Sequence, residues 1–126
     1  MACILVVEDD QPVRDVLVEF LAEQGHDAFG AAGAAEARDA MSARLVALVI
    51  VDCVLYGEQG EVFAQHAATS GVPAILITGD RARLTAAREK GLVVLRKPFR
   101  LAELSGLIAH LLGNADEAGL NGTHTG

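Results

Sequence analysis

Cys3-Ile4-Leu5-Val6-Val7-Glu8-Asp9-Asp10 sets five apolar residues directly against three acids. A run that is apolar at every position has no polar face, so it reads as a strand buried on both sides, as in the centre of a parallel sheet. Working outward, Val46–Val51, Ala74–Ile77 and Leu92–Leu95 are further short runs rich in Val, Ile and Leu, and His26–Phe29 is a weaker one. Helical patterns lie between them. Pro12 suits a first helical turn capped by Asp10 or Gln11, and Val13, Val16, Leu17, Phe20 and Leu21 keep the 3.6-residue period until Gly25 stops it. Ala34–Arg44 is an alanine-rich helix, Glu61–Thr69 a short one, and Arg81–Lys90 is helical by propensity but weakly amphipathic. Leu101, Leu104, Ile108 and Leu111 give the last helix its apolar stripe. The order is (βα)₅, an α/β chain whose right-handed crossovers make a parallel sheet covered on both faces.

After Leu112 the pattern stops, and Gly113–Gly126 holds four glycines with Leu120 as its one large apolar residue. The expected division is one domain over residues 1–113 and a flexible tail over 114–126. A hydrophobic content of 52% with 21% charged residues excludes a disordered chain. No apolar run approaches the ~18 residues that span a bilayer, so no membrane role is expected. No basic region precedes the first apolar run and no secretory signal is read, which makes the cytoplasm the expected compartment. Cys3 and Cys53 have neither disulfide-framework nor metal spacing. The net charge of −7 argues against direct nucleic-acid binding. That charge is uneven: residues 1–60 carry 11 acids against 3 bases, whereas within 81–100 seven bases face only Glu89.

Polar residues fall at the ends of the apolar runs. Glu8 and Asp9 follow the first strand, Asp52 the third, Thr78 closes the fourth, and Lys97 lies two residues past the fifth. In a parallel sheet these ends share one edge, and ligand sites of open α/β sheets lie at that edge where the strand order reverses. With the order 2-1-3-4-5, strands one and three are neighbours there, which groups Glu8, Asp9 and Asp52 with Thr78 and Lys97 beside them. Three carboxylates in one pocket repel one another, and a hard divalent cation such as Mg²⁺ resolves the conflict. A lysine charge and a threonine hydroxyl suit a bound phosphoryl group. The constellation asks for a metal and a phosphoryl group.

The blocks ILVVEDD at 4–10, VIVD at 49–52, LITG at 76–79 and RKPF at 96–99 resemble the four signature blocks of a response-regulator receiver domain. The resemblance covers roughly residues 2–113 and implies a flavodoxin-like, doubly wound fold. It implies that Asp52 is a phosphoacceptor that attacks a phosphohistidine, and that Glu8, Asp9, Asp52 and the Val54 carbonyl hold Mg²⁺. Thr78 matches the hydroxyl residue that turns to the phosphoryl group, Lys97 the lysine that pairs with it, and Gly79 the small residue that leaves the pocket open. Lys97–Pro98 matches a peptide bond often cis in the family.

The implied function is a stand-alone phosphoacceptor in a two-component phosphorelay. Its partners would be a histidine kinase or phosphotransfer protein and a downstream protein bound by the helix 4/strand 5/helix 5 face. It is a signalling protein that promotes its own phosphorylation, not an enzyme, and the expected state is a monomer or weak homodimer. The alternative is a phosphorylation-independent binding module, against which the retention of all five site residues argues.

Three features depart from the family pattern. Val94 stands where an aromatic residue is frequent, Tyr56-Gly57-Glu58-Gln59-Gly60 replaces the usual loop with Tyr56 expected near the pocket mouth, and the Asp52–Thr78 and Thr78–Lys97 intervals are short. A haloacid-dehalogenase-type enzyme needs a second acid where Val54 stands, and a dinucleotide site needs glycines where Glu8-Asp9-Asp10-Gln11-Pro12 stands. Cys53, beside the acceptor, is read as a small, semi-buried residue rather than a redox centre.

Overall fold

A computed structural model describes residues 2–55 and 58–119. Five parallel strands, β1 (Cys3–Val7), β2 (Asp27–Ala31), β3 (Leu48–Asp52), β4 (Ala74–Thr78) and β5 (Val93–Arg96), form one sheet in the order β2-β1-β3-β4-β5. Five helices alternate with them: α1 (Gln11–Glu23), α2 (Ala34–Ala43), α3 (Gly60–Thr69), α4 (Arg81–Glu89) and α5 (Leu101–Gly119). The alternation of strands and helices is the one expected from the apolar runs and helical patterns, and the strand order is that of the doubly wound fold the family resemblance implies. The register sets Val7 opposite Val51, Asp52 opposite Ile77 and Thr78 opposite Arg96, so the strands end together at one edge.

Strand parity divides the core in two. Leu5, Val7, Val49, Val51 and Leu76 point to the side covered by α2, α3 and α4, where Ala37, Ala64, Ala67 and Ala87 let the helices approach closely around Phe63. Ile4, Val6, Leu48, Ile50, Ile75 and Ile77 point to the other side, against Leu17 and Leu21 of α1 and Leu104 and Ile108 of α5. All five residues of β3 and of β4 are buried, which is why their sequences show no alternation.

Local chemistry sets the helix ends. Asp10, not Gln11, caps α1, its carboxylate accepting the Val13 N–H at 3.2 Å. Asp80 caps α4 by accepting from Ala82 N–H at 2.8 Å and Arg83 N–H at 3.2 Å, and the helix buries only Leu84 and Ala87. That narrow buried stripe accounts for the weak amphipathic signal in the sequence.

Two features lie beyond the sequence pattern. Val54–Leu55 pairs antiparallel with Glu58–Gln59 as a small ribbon just after β3. The backbone of α5 also continues to Gly119, past the last residue of its apolar stripe. Tyr56 and Gly57, with the expectation placed on Tyr56, and residues 120–126 of the expected tail lie outside the described residues. Among the described residues no helix is long and apolar enough to cross a membrane.

Candidate functional site

The site grows from the sheet ladder carried one residue past the strand ends. Glu8 N–H donates to the Ala31 carbonyl at 3.0 Å, Cys53 N–H to Ile77 at 2.8 Å and Lys97 N–H to Thr78 at 2.9 Å. These bonds hold the polar residues in register with the rigid sheet. Arg14 Nη1 donates to the Glu8 carbonyl at 2.7 Å and fixes the β1–α1 turn. The Arg14 side chain crosses β2 at Gly30, where a Cβ would meet its Cδ at 2.7 Å.

Glu8, Asp9 and Asp52 converge, each offering a carboxylate oxygen within 4.8 Å of the others. Glu8 and Asp52 are buried, at 6% and 9% exposure, while Asp9 is open to solvent. Burial pushes the Glu8 carboxyl up to about 8, reinforced by its hydrogen bond to Asp52 and the repulsion of that charge. The Lys97 charge and the Asp10 N–H, 3.3 Å from Glu8 Oε1, pull the other way. Near neutral pH the buried pair therefore keeps a proton, as two carboxylates do when they cannot both ionise side by side. An oxygen-only cluster with more negative charge than its surroundings tolerate fits a hard divalent cation. Lys97 Nζ lies 3.2 Å from Asp52 Oδ2, and the Lys97–Pro98 peptide bond is cis. Thr78 is 3% exposed, and its Oγ1 accepts the Asp80 N–H at 3.0 Å.

A second polar group adjoins the first. Arg83 grips Glu61 with two bonds, Nε to Oε2 at 2.7 Å and Nη2 to Oε1 at 2.6 Å, and Nη2 also donates to the Cys53 carbonyl at 2.8 Å. The guanidinium holds the Glu61 carboxyl down at about 2. Cys53 is fully buried, with Glu61 and Thr78 as its polar neighbours. Burial, then the neighbouring Glu61 carboxylate, pushes its thiol up to about 11, so it keeps its proton and is a poor nucleophile.

The family model of the response regulator receiver domain matches residues 4–109. The chain belongs to that family. Regulatory protein VirG of Rhizobium radiobacter is 32% identical over 105 residues, covering 79% of this chain and 39% of VirG. The chain thus spans about two fifths of the length of that curated relative. Among solved structures, the response regulator TrrA of Thermotoga maritima, determined in complex with Mg²⁺-BeF, superposes with a TM-score of 0.80 at 26% identity, covering 88% of this chain and 99% of that one. A CheY-like receiver domain protein of Methanospirillum hungatei shares the fold, with a TM-score of 0.85 at 22% identity over 94% of this chain and 98% of that one.

In this receiver the residues singled out from the sequence stand together: Glu8, Asp9 and Asp52 in one cluster, Lys97 bonded to Asp52, and Thr78 at the end of the neighbouring strand. The Val54 backbone lies in the ribbon two residues past Asp52. A Cβ on Gly79 would meet Lys97 Cβ at 3.7 Å. Val94 is half-buried on the α2–α3–α4 side, opposite Leu76. Sequence reasoning missed Glu61 and Arg83, which lie 22 positions apart without a motif between them. It also took Cys53 for semi-buried, whereas the residue has no exposure at all.

Proposed function

We propose that this receiver accepts a phosphoryl group on Asp52 from a phosphohistidine of a histidine kinase or phosphotransfer protein. The observation that carries the reading is the carboxylate cluster within 4.8 Å with Lys97 held 3.2 Å from Asp52. An Asp52 oxygen attacks phosphorus, the P–N bond breaks, and the imidazole leaves with the bonding electron pair. Lys97 neutralises charge on the transferring group, and the Thr78 hydroxyl donates to a phosphoryl oxygen once transfer is complete. Glu8, Asp9, Asp52 and the Val54 carbonyl are the residues that would hold Mg²⁺. When bound, the cation neutralises negative charge on the phosphoryl oxygens.

Output then runs through protein contacts of α4, β5 and α5. Charge supports that face. Arg83 turns toward α3, so Arg81 and Arg88 occupy the opposite flank of α4 at roughly 100° per residue. Arg96 shares its side of edge strand β5 with Val94, and Arg100 precedes α5. All four are exposed, and none has an ion-pair partner among the described residues. The proposed setting is cytoplasmic, with the receiver over residues 1–113 acting as a monomer or weak homodimer. It promotes its own phosphorylation as a signalling protein.

The test is incubation with acetyl phosphate and Mg²⁺ followed by intact-protein mass spectrometry. One hydroxylamine-labile phosphoryl adduct is expected, absent in Asp52→Asn and absent with EDTA. An adduct that survives Asp52→Asn, or none in a protein that also fails to bind beryllofluoride, overturns the reading.

A further inference from the structure

The backbone that leaves the acceptor strand is held from two helices at once. The Cys53 carbonyl accepts two bonds, from Gly60 N–H of α3 at 2.9 Å and from Arg83 Nη2 of α4 at 2.8 Å. A carbonyl oxygen has two lone pairs, so both are engaged, and the 53–54 peptide plane cannot turn without breaking a bond. On either side, Cys53 N–H bonds the Ile77 carbonyl at 2.8 Å and Val54 pairs with Gln59. Arg83 is itself aimed by Glu61. Nε donates to Oε2 at 2.7 Å and Nη2 to Oε1 at 2.6 Å, which fixes the guanidinium plane and leaves the second Nη2 hydrogen for the Cys53 carbonyl. The Arg83 side chain is 28% exposed and the Glu61 side chain 15%, so water reaches this clamp only in part. Arg81 and Arg88 of the same helix stay exposed, whereas Arg83 turns three N–H donors inward.

We propose that Arg83, aimed by Glu61, is a positioning residue for the cation: it orients the backbone from Asp52 to Val54 so that the Asp52 carboxylate and the Val54 carbonyl can serve one Mg²⁺. The inference rests on the metal ligands of the phosphoacceptor reading above. It goes beyond that reading by making the affinity of the pocket depend on where α4 lies. Coupling of this kind is reciprocal. A cation that needs the clamped backbone holds α4 against α3 in return, and a partner that draws α4 away loosens the cation.

Mg²⁺ alone is the probe, titrated calorimetrically into the full chain. Charge by itself would make Arg83→Ala bind Mg²⁺ more tightly, since a nearby positive charge is removed. Loss of orientation has the opposite sign. Arg83→Ala is expected to bind Mg²⁺ roughly tenfold more weakly, the low end of what the partners that orient a metal's ligands are worth. Arg83→Lys keeps the charge but not the fork and should fall between the two. Adding Glu61→Gln to Arg83→Ala should weaken binding little further, because both changes break one clamp. Amide exchange supplies a readout that a purely structural role would not move: saturating Mg²⁺ should slow exchange at Leu84 and Ala87 of α4 in the native chain and not in Arg83→Ala. Affinity that is unchanged or tighter in Arg83→Ala, or in Arg83→Lys should Arg83→Ala fail to fold, overturns the inference. So does exchange in α4 that Mg²⁺ slows equally without Arg83. Either result, in a native chain that takes a phosphoryl group from acetyl phosphate, leaves the phosphoacceptor reading intact. Arg83-dependent Mg²⁺ binding without any phosphoryl adduct overturns phosphoryl transfer and upholds the clamp, and a native chain that binds no Mg²⁺ overturns both.

Discussion

Glu8 carries the largest electrostatic strain in the site, because it is buried against Asp52 with one lysine as counter-charge. Its folded value of about 8 lies above the ordinary 4.5, so the folded metal-free protein binds more protons than the unfolded chain between those values. The stability this contributes is fully present below about pH 4.5 and is lost as pH rises through 8. Glu8→Gln removes that titration. In EDTA at pH 8–9 the variant is expected to be more stable than the native chain by on the order of 2 kcal/mol, and the two should converge near pH 5. Thermal unfolding across pH checks this, and parallel profiles would refute it. At this scale the sequence was informative wherever a polar residue broke an apolar run. Glu8, Asp9, Asp52 and Thr78 were visible for that reason. Glu61 and Arg83 sit on helix surfaces, where charged residues are ordinary, and nothing local distinguishes them.

Between elements, α3 is tied to its surroundings at both the backbone and the side-chain level. Gly60, its first residue, donates its N–H to the Cys53 carbonyl at 2.9 Å, and a Cβ there would lie 2.0 Å from the Asp52 carbonyl oxygen. The obstructing atom is backbone, so it cannot swing aside. Gly60→Ala is expected to cost about 2–3 kcal/mol in urea denaturation and to weaken beryllofluoride binding, since the helix must lift off the acceptor strand. A substitution that changes neither would show the contact to be soft. The Glu61–Arg83 pair adds a pH signature of the opposite sign to that of Glu8. Glu61 titrates at about 2 when folded against 4.5 ordinarily, so its stabilisation is present above pH 4.5 and is lost as pH falls toward 2. Glu61→Gln should therefore lose about 2 kcal/mol at pH 6, allowing for the part-exposed Arg83, and much less near pH 2. Acid unfolding curves that keep a constant offset would contradict this. Element types were legible from periodicity, whereas the ribbon after β3 was not, because two-residue strands carry no period.

For the whole molecule, charge distribution matters more than the total. Acids gather at the pocket and on α1, while Arg81, Arg88, Arg96 and Arg100 line the β5 edge. A polyanion of net −7 repels phosphate backbones despite that basic strip. Fluorescence anisotropy with a labelled DNA duplex at physiological salt is expected to show no binding, and a submicromolar affinity would reverse the assignment of this edge to protein contacts. The same edge should lose partner binding when Arg81, Arg88 and Arg96 are changed together to Glu, without loss of Asp52 phosphorylation.

Sequence alone determined the sheet, the order of elements, and the edge at which the polar residues collect. Burial on both faces of β1, β3 and β4 forces continuous apolar runs, and a parallel sheet sends all its strand ends to one side. Tertiary structure decided what those residues touch. The Lys97–Asp52 bond, the raised Glu8 carboxyl and the Arg83 bonds to Glu61 and to the Cys53 carbonyl depend on distances between segments remote in sequence, and on a burial that exists only once β1, β3 and β4 lie side by side. Pattern in a chain records which face is dry, and only the packed sheet fixes which polar atoms must share it.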